Sequence, residues 1–189
     1  MDRVIKQLRI DELKRQLHYE KFCEDSKKSG TVVAVLDSGM CPSHMDLYGK
    51  AIAFYDFVNR RKNLYDDYGH GTHICGCIAG SGKASNGKYR GIAENTRFVI
   101  GKVLDKNGDG LVENMIRGME WVLMNQSRYH IKVLNISIGT GNGYPKDEYK
   151  KIMDLMQEAW RHGIFVVCAA GNSGPKEDSI SHIGTGEYC

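Results

Sequence analysis

The sequence lacks long apolar runs and any strong excess of charge of one sign. No stretch of the 189 residues reaches the roughly 18 consecutive apolar residues of a membrane-spanning helix. Its 26 Lys and Arg side chains nearly balance 23 Asp and Glu, and the basic residues are scattered, unlike the basic stripe of a nucleic-acid-binding surface. We therefore expect neither a membrane nor a nucleic acid as partner.

The sequence also lacks the apolar centre of a signal peptide, because its first thirty residues are charged throughout. Without an export signal, we expect the cysteines to be reduced thiols; there are six of them, Cys23, Cys41, Cys75, Cys77, Cys168 and Cys189. These two features favour a cytoplasmic protein. The alternative is a secreted protein whose leader is not part of the sequence.

The length and composition are those of one domain with a substantial core, since 189 residues are 41% hydrophobic. Residues 1–29 are predicted to form an N-terminal helical segment, with helical apolar spacing over 2–28. Residues 30–189 are predicted to form the globular domain. We find no internal repeat and no low-complexity tract.

Short β-branched runs alternate with helical patterns in the second half of the chain. Strands are predicted over 31–37, 51–57, 96–104, 131–139 and 163–172. Helices are predicted over 112–125 and 146–162, the second opened by Pro145 and closed by Gly163. This alternation predicts an α/β fold with a doubly wound parallel sheet.

Unusual polar groups follow several of the predicted strands. Asp37 ends the first strand, and Ser137–Gly139 and Gly171–Asn172 end two later ones. His70 opens a helix after a polar loop. Ligands of such sheets bind at the carboxyl ends of the strands, so we expect these four segments to meet at one edge.

Asp37, His70 and Asn172 together permit acid–base chemistry at that edge. A carboxylate can fix the tautomer of an imidazole that acts as general base, and a carboxamide can stabilise a developing oxyanion. Each residue also has a purely structural interpretation. Asp37 and Asn172 are common turn residues, and His70 has the alternative of an ordinary loop histidine.

Two patterns resemble metal sites without meeting their requirements. His70, His73, Cys75 and Cys77 would point in different directions around one short helix, whereas zinc needs convergent ligands. Residues 105–116 begin like an EF-hand loop, but Ile116 stands where the bidentate glutamate belongs. We therefore predict no metal site from these patterns.

Four segments together resemble the motifs of the subtilisin-like serine peptidases. They are LDSGMCPSHMDL (36–47), GHGTHICGCIAG (69–80), VLNISIG (133–139) and VVCAAGNSGP (166–175), in the order in which that family has them. The resemblance implies a subtilisin-like fold and peptide or protein substrates. It also implies that Asp37 orients His70, the general base, and that Asn172 contributes to an oxyanion hole.

The resemblance further implies two substrate-binding edges. One lines the pocket for the residue before the scissile bond and comprises Ser137, Ile138 and Gly139 with Ala169, Ala170 and Gly171. The other is Gly108–Asp109–Gly110, in which Gly108 and Gly110 let an extended substrate pair by β-addition. The apolar Ile138 suggests acceptance of a large uncharged side chain.

The resemblance leaves calcium open and implies no other cofactor. Members of the family often bind calcium, and Asp46 matches a frequent ligand position. The loop at 81–90, SGKASNGKYR, departs from the usual calcium-loop pattern. We therefore assign no metal ligand.

The family's nucleophile motif, G-T-S-x-A-x-P, has no match in the sequence. Ser173, Ser179 and Ser181 lie in other surroundings, and a terminal Cys189 has no packed support as a proton donor. We expect residues 30–189 to be a partial peptidase domain, truncated at its C-terminal side, inactive alone and poorly stable because a sheet edge is exposed. The alternative is a catalytically inactive relative that binds peptides or regulates another protein.

Overall fold

A computed structural model describes residues 30–139, 145–175, 177 and 179–189, together with 12, 15, 16, 18 and 19. The helix predicted over 2–28 lies mostly outside these residues; four of the five described there, Glu12, Arg15, Gln16 and Tyr19, are helical. The boundary predicted between residues 29 and 30 stays a prediction.

Five strands form one parallel sheet in the order β2-β3-β1-β4-β5. They are β1 (Val32–Asp37), β2 (Ala51–Asp56), β3 (Arg97–Lys102), β4 (Ile131–Ile136) and β5 (Phe165–Cys168). All residues of β1 except Val32 are buried, as expected for an unbroken apolar run covered on both faces. The predicted parallel sheet is confirmed.

Three helices cover both faces of the sheet: α1 (His70–Ala79), α2 (Val112–Tyr129) and α3 (Lys146–Arg161). On one face, α1 packs through Cys75 and Ala79 against Val35 and Ile100. On the other face, α2 and α3 share a larger core with β1, β3, β4 and β5. The doubly wound arrangement is therefore confirmed. None of the helices in the described residues is long and apolar enough to cross a bilayer.

The start of α1 lies directly against the end of β1. A Cβ added to Gly71 would come within 2.2 Å of the Gly39 carbonyl oxygen and 3.2 Å of the Asp37 Cβ. Only a glycine permits this approach without a shift of the backbone. The fold thus brings His70, the first residue of α1, next to the last residue of β1.

Several predicted boundaries are wrong. The strands predicted over 96–104 and 131–139 end at Lys102 and Ile136, and two further differences have local reasons. Helix α2 extends beyond residue 125 to Tyr129, where His130 adopts a left-handed conformation (φ 55°) that ends it. Strand β5 covers only 165–168, not 163–172. After it, Ala169 N still donates to Ile136 O (3.1 Å), but Ala170 O accepts from Ser181 N (2.7 Å), so the chain leaves the sheet.

Candidate active site

Asp37 and His70 form a close pair at the carboxyl edge of the sheet. The Nδ1 atom of His70 lies 2.8 Å from Oδ1 and 2.9 Å from Oδ2 of Asp37. The Asp37 side chain is fully buried, whereas that of His70 is 37% exposed. Because a carboxylate accepts, Nδ1 carries the proton and Nε2 is the nitrogen left to react.

The surroundings of Asp37 favour its charged form only in part. Burial raises the pKa of the carboxyl above its ordinary value, while hydrogen bonds from His70 and from Ser38 N (2.7 Å) act in the opposite direction. A buried carboxylate next to an imidazole stabilises the imidazolium that forms when Nε2 takes a proton. The pair can therefore act as an oriented general base.

Asp66 caps the helix that carries His70. Its Oδ1 accepts from Gly69 N (2.8 Å) and from Ser38 Oγ (2.9 Å), and its Oδ2 accepts from both the backbone N (2.9 Å) and the hydroxyl of Thr72. Burial opposes the charge, but these hydrogen bonds lower the pKa of Asp66 below its ordinary value. Asp66 thereby fixes the first turn of α1, since Gly69 at the N-cap has no side chain to do so.

Ser38 and Lys102 are also part of the site, and no sequence motif indicated a role for either. The Ser38 hydroxyl accepts a hydrogen bond from Gly71 N (2.9 Å), which joins β1 to α1. Lys102 is completely buried at the end of β3. The one signal in the sequence was a lysine inside the apolar run of 96–104.

Asn172 lies near the segment that follows β4. Its Nδ2 atom is 3.4 Å from the position that a Cβ on Gly139 would occupy, and its side chain is exposed. The structure thus brings together the segments after β4 and β5, as parallel strands require. The oxyanion role of Asn172 stays a prediction.

The predicted pocket residues are held by neighbouring backbone. Ser181 Oγ donates to Ala169 O (3.1 Å), and a Cβ on Gly171 (φ 98°) would lie 3.1 Å from the Ser181 Cβ. Ala170 is exposed next to them. Ser181 therefore fixes the course of residues 169–171.

The three residues 137–139, after β4, differ in exposure and in hydrogen bonding. Ser137 Oγ accepts from Asn135 Nδ2 (2.9 Å), and Ile138 is half-buried against the main core. Gly139 is exposed. Ile138 therefore packs against the core of the protein. No observation tests whether the pocket accepts a large uncharged side chain, so that preference stays a prediction.

The Gly108–Gly110 segment belongs to a compact turn after β3. Asp105 N donates to Asp109 O (2.8 Å), and Gly108 adopts a positive φ of 83°. A Cβ on Gly108 would lie 2.5 Å from Cζ of Tyr68, and the Tyr68 ring centroid is 6.5 Å from that of His70. Tyr68, which sequence analysis did not identify, thus connects this turn with His70.

Gly110 lies on the inner side of the same turn. A Cβ on it would come within 2.7 Å of Leu104 Cδ2. Its lack of a side chain lets the turn pack against Leu104 before α2 begins. Its predicted contact with substrate stays a prediction.

A cavity of about 640 Å³ lies along the outer side of α1, and none of the predicted site residues lines it. His73 and Cys77 face it, with Nε2 3.8 Å from Sγ, while Cys75 points into the core. Among the described residues, no group of three or more His, Cys, Asp or Glu side chains is placed to bind a metal ion. His73 and Cys77 thus face the same cavity, whereas His70 contacts Asp37.

Asp46, the residue at the possible calcium position, is already hydrogen-bonded within the protein. Its Oδ1 accepts from Ser81 Oγ (3.1 Å) and from Ala84 N (2.9 Å). Calcium is bound by six to eight oxygen atoms, and here two donors occupy one oxygen of a single carboxylate. Among the described residues, Asp46 belongs to no group of three or more His, Cys, Asp or Glu side chains that could hold a metal ion, and we assign no calcium ligand.

Comparison with known proteins gives consistent matches. The model of the Subtilase family matches residues 28–187. The chain is 40% identical over 163 residues to serine protease AprX of Bacillus subtilis. The matched residues are 84% of this chain. It is 32% identical to the major intracellular serine protease of the same organism, over 87% of this chain.

Solved structures agree with these matches. A cold-adapted subtilisin-like serine proteinase is 31% identical, with a TM-score of 0.61 over 76% of this chain. A structure described as S41 psychrophilic protease is 29% identical, with a TM-score of 0.69 over 82%. The chain spans 36% of AprX, 50% of the intracellular protease, and 47% and 50% of the two solved chains.

Proposed function

The chain belongs to the subtilase family, and we propose that it is part of a serine endopeptidase in which Asp37 and His70 form the carboxylate–base pair. The observation that carries this proposal is the contact of His70 Nδ1 with both oxygens of the buried Asp37, at 2.8 and 2.9 Å. This contact leaves Nε2 for the proton of a nucleophile. A histidine held only by packing would not need a buried carboxylate.

In the proposed mechanism, His70 takes the proton of a serine hydroxyl as that oxygen attacks the carbonyl carbon of a peptide bond. The protonated ring then gives its proton to the leaving amine, and an acyl-enzyme on the serine remains. Asp37 stabilises the ring while it is charged. Water, activated by the same nitrogen, hydrolyses the acyl-enzyme.

We place the nucleophilic serine outside residues 1–189. The sequence contains no G-T-S-x-A-x-P motif, and the chain spans half or less of the relatives compared above. Residues 1–189 alone then have the base without its proton donor. We expect them to be inactive as a peptidase.

Asn172 is proposed to donate its amide to the oxyanion, and the two edges at 108–110 and 137–139 to hold an extended peptide. Support comes from the adjacency of Asn172 and Gly139 at the carboxyl edge of the sheet. The substrate is a peptide or protein. We propose a cytoplasmic location; the name of one relative, the major intracellular serine protease, states an intracellular location for that protein.

The first test is to read the coding DNA beyond codon 189 and to express the extended protein. We expect a G-T-S-x-A stretch, and a fluorophosphonate probe should label the extended protein but not residues 1–189. His70→Ala should abolish the labelling. A genuine stop codon after Cys189, with stable monodisperse expression of the chain, would contradict the peptidase and favour a peptide-binding module.

The second test separates the oxyanion role from folding. In the extended protein, Asn172→Ala should lower kcat by about 10²–10³-fold with little change in KM, the loss seen when subtilisin itself loses such a donor. Asn125→Ala is the matched control, because Asn125 caps the Trp121 carbonyl within α2. Equal losses of kcat in the two variants would contradict the assignment of Asn172.

A further inference from the structure

Lys102 is a buried lysine whose ammonium group has its full set of partners. Its Nζ atom donates to Ser38 O (2.7 Å), to Leu104 O (2.7 Å) and to Asp67 Oδ1 (2.6 Å). An ammonium has three N–H donors, so all of them are used. The Nζ atom also lies 5.0 Å from the centroid of the Tyr65 ring.

Burial of the Lys102 ammonium costs free energy of desolvation. A lysine at this position therefore calls for a functional explanation. Desolvating an ammonium costs several kcal/mol, and an apolar residue of similar volume often serves stability as well or better. Lys102 is 0% exposed, while the side chain of its ion-pair partner Asp67 is 30% exposed.

The three acceptors belong to the three segments that surround the Asp37–His70 pair. Ser38 follows Asp37 directly, Asp67 lies in the loop that leads into His70, and Leu104 follows β3. Strand register pairs Asp37 with Lys102, and side chains at paired positions project from the same face of a sheet. Lys102 is thus the neighbour of Asp37 on the face where His70 lies.

Each end of the pair is held through one of these acceptors. At the Asp37 end, Lys102 holds the Ser38 carbonyl, while the Ser38 hydroxyl accepts from Gly71 N (2.9 Å). At the His70 end, Lys102 holds the Asp67 carboxylate. Loss of the ammonium would release both ends at once, without touching either catalytic side chain.

We propose that Lys102 is a positioning residue that keeps His70 Nδ1 aligned with the Asp37 carboxylate, acting through Ser38 and Asp67. The inference rests on the proposed base–carboxylate function of the pair. It assigns a catalytic consequence to a side chain that does not touch the imidazole.

The test observes the hydrogen bond itself in the extended protein, by proton NMR of the His70 Nδ1–H in mildly acidic buffer. A proton held between an imidazolium and a carboxylate gives a low-field signal that exchanges slowly with water. In Lys102→Met we expect this proton to exchange roughly tenfold faster or more, the factor expected when a hydrogen bond to a charged group is lost. Lys102→Gln, which keeps N–H donors for the two carbonyls, should restore part of the protection.

Two control variants distinguish positioning from stability. Lys50→Met removes another lysine that donates to a backbone carbonyl, that of Glu94, at the opposite end of the sheet. Met119→Ala weakens the core on the other face of the sheet, where Met119 is 1% exposed. Both should leave the exchange of the His70 proton unchanged, although Met119→Ala lowers the unfolding midpoint.

Each possible result of the exchange measurement either supports or contradicts the role proposed for Lys102. An unchanged signal in Lys102→Met, or equal acceleration in Met119→Ala, overturns the inference and leaves the proposed function intact. A parent chain with no low-field signal contradicts the Asp37–His70 pairing, and the proposed function with it. If Lys102→Met does not fold, Asp67→Asn at the more exposed partner decides: faster exchange supports the inference, and an unchanged rate overturns it.

Discussion

At the scale of single residues, the site contains two neighbouring aspartates whose pKa values shift in opposite directions. Burial dominates at Asp37 and raises its pKa. Asp66 is also partly buried, but hydrogen bonds from Thr72, Gly69 and Ser38 outweigh burial and lower its pKa. The balance between burial and hydrogen-bond donors therefore decides which carboxylate keeps its charge as the pH falls.

The lowered pKa of Asp66 makes a prediction about acid stability. Its contribution to the free energy of unfolding is present above the ordinary aspartate value of 3.8 and is lost as the pH falls through the lower folded value. Asp66→Asn should cost about 1–3 kcal/mol at neutral pH, because donors around position 66 lose a charged acceptor. It should also flatten the decline in stability below about pH 4.

Urea unfolding at a series of pH values measures both effects. Asp154→Asn, at an exposed position on α3, is the matched control and should leave the acid limb unchanged. An acid limb that is equally steep in the Asp66→Asn protein and its parent would show that other groups cause the decline.

At this scale, only some of the site residues could be predicted from the sequence. Asp37 and His70 were predictable because each stands at a recognisable junction, a strand end and a helix start. Asp66, Ser38 and Lys102 were not, because their roles depend on contacts between segments. Lys102 in particular acquires its partners only when strand register sets it beside Asp37.

At the scale of elements, α1 contains two glycines with different surroundings. A Cβ on Gly71 would come within 2.2 Å of the Gly39 carbonyl oxygen, whereas a Cβ on Gly76 would meet nothing within 4 Å. Helix propensity is the same at both positions, about 1 kcal/mol in favour of alanine. The contact with β1 is therefore the difference from which we predict the sign of each substitution.

We predict opposite effects of the two alanine substitutions on thermal unfolding. Gly76→Ala should stabilise the chain by about 0.5–1 kcal/mol. Gly71→Ala should destabilise it by about 1–3 kcal/mol or more, since the added methyl group forces α1 away from β1. In the extended protein, Gly71→Ala should also lower kcat, while Gly76→Ala should not.

These two variants serve as controls for each other, because they make the same chemical change in the same helix. Stabilisation by both would mean that α1 tolerates a shift away from the end of β1. The tight position of His70 against Asp37 would then need another explanation.

Element boundaries show where sequence patterns carry enough information. Strand β1 was predicted to within one residue because its apolar run ends in an acid. Strand β5 was predicted too long because Ala169, Ala170 and Gly171 continue the pattern of small residues after the pairing with β4 has ended. What turns the chain there is the hydrogen bond from Ser181 N, which no local pattern indicates.

At the scale of the whole molecule, the sheet face that α1 covers is left uncovered at the edge strand β5, which presents apolar side chains there. On β5, Phe165 is 62% and Val167 is 51% exposed, and the ring of Trp160 packs edge-on against Phe165. A parallel edge with exposed apolar residues is a surface for association. The expectation that residues 1–189 are poorly stable alone stays a prediction, and this edge is its physical basis.

We predict that residues 1–189 associate through β5 at high concentration. Val167→Lys should reduce the association measured by sedimentation velocity, because a charge on an edge strand opposes pairing with a second strand. Met124→Lys is the control, since Met124 is 76% exposed but lies on α2, away from the edge. Equal reduction by both variants would indicate a general effect of charge.

The overall architecture was more predictable than the site. Alternating strands and helices were enough for the parallel sheet, and the order of four motifs was enough for the family. The placement of Tyr68 between Gly108 and His70 was not predictable, because it joins two loops that follow different strands. The structure therefore adds most information about contacts between segments that are distant in the sequence.

The residues that assemble the base lie in one contiguous stretch of the chain, from Asp37 to Leu104. During synthesis on the ribosome, all of these residues have been translated well before Asn172. A nascent chain of that length contains His70, the proposed proton acceptor. It does not yet contain Asn172, the residue proposed to stabilise an attacked carbonyl. The order of translation itself would delay proteolysis until the later segments arrive.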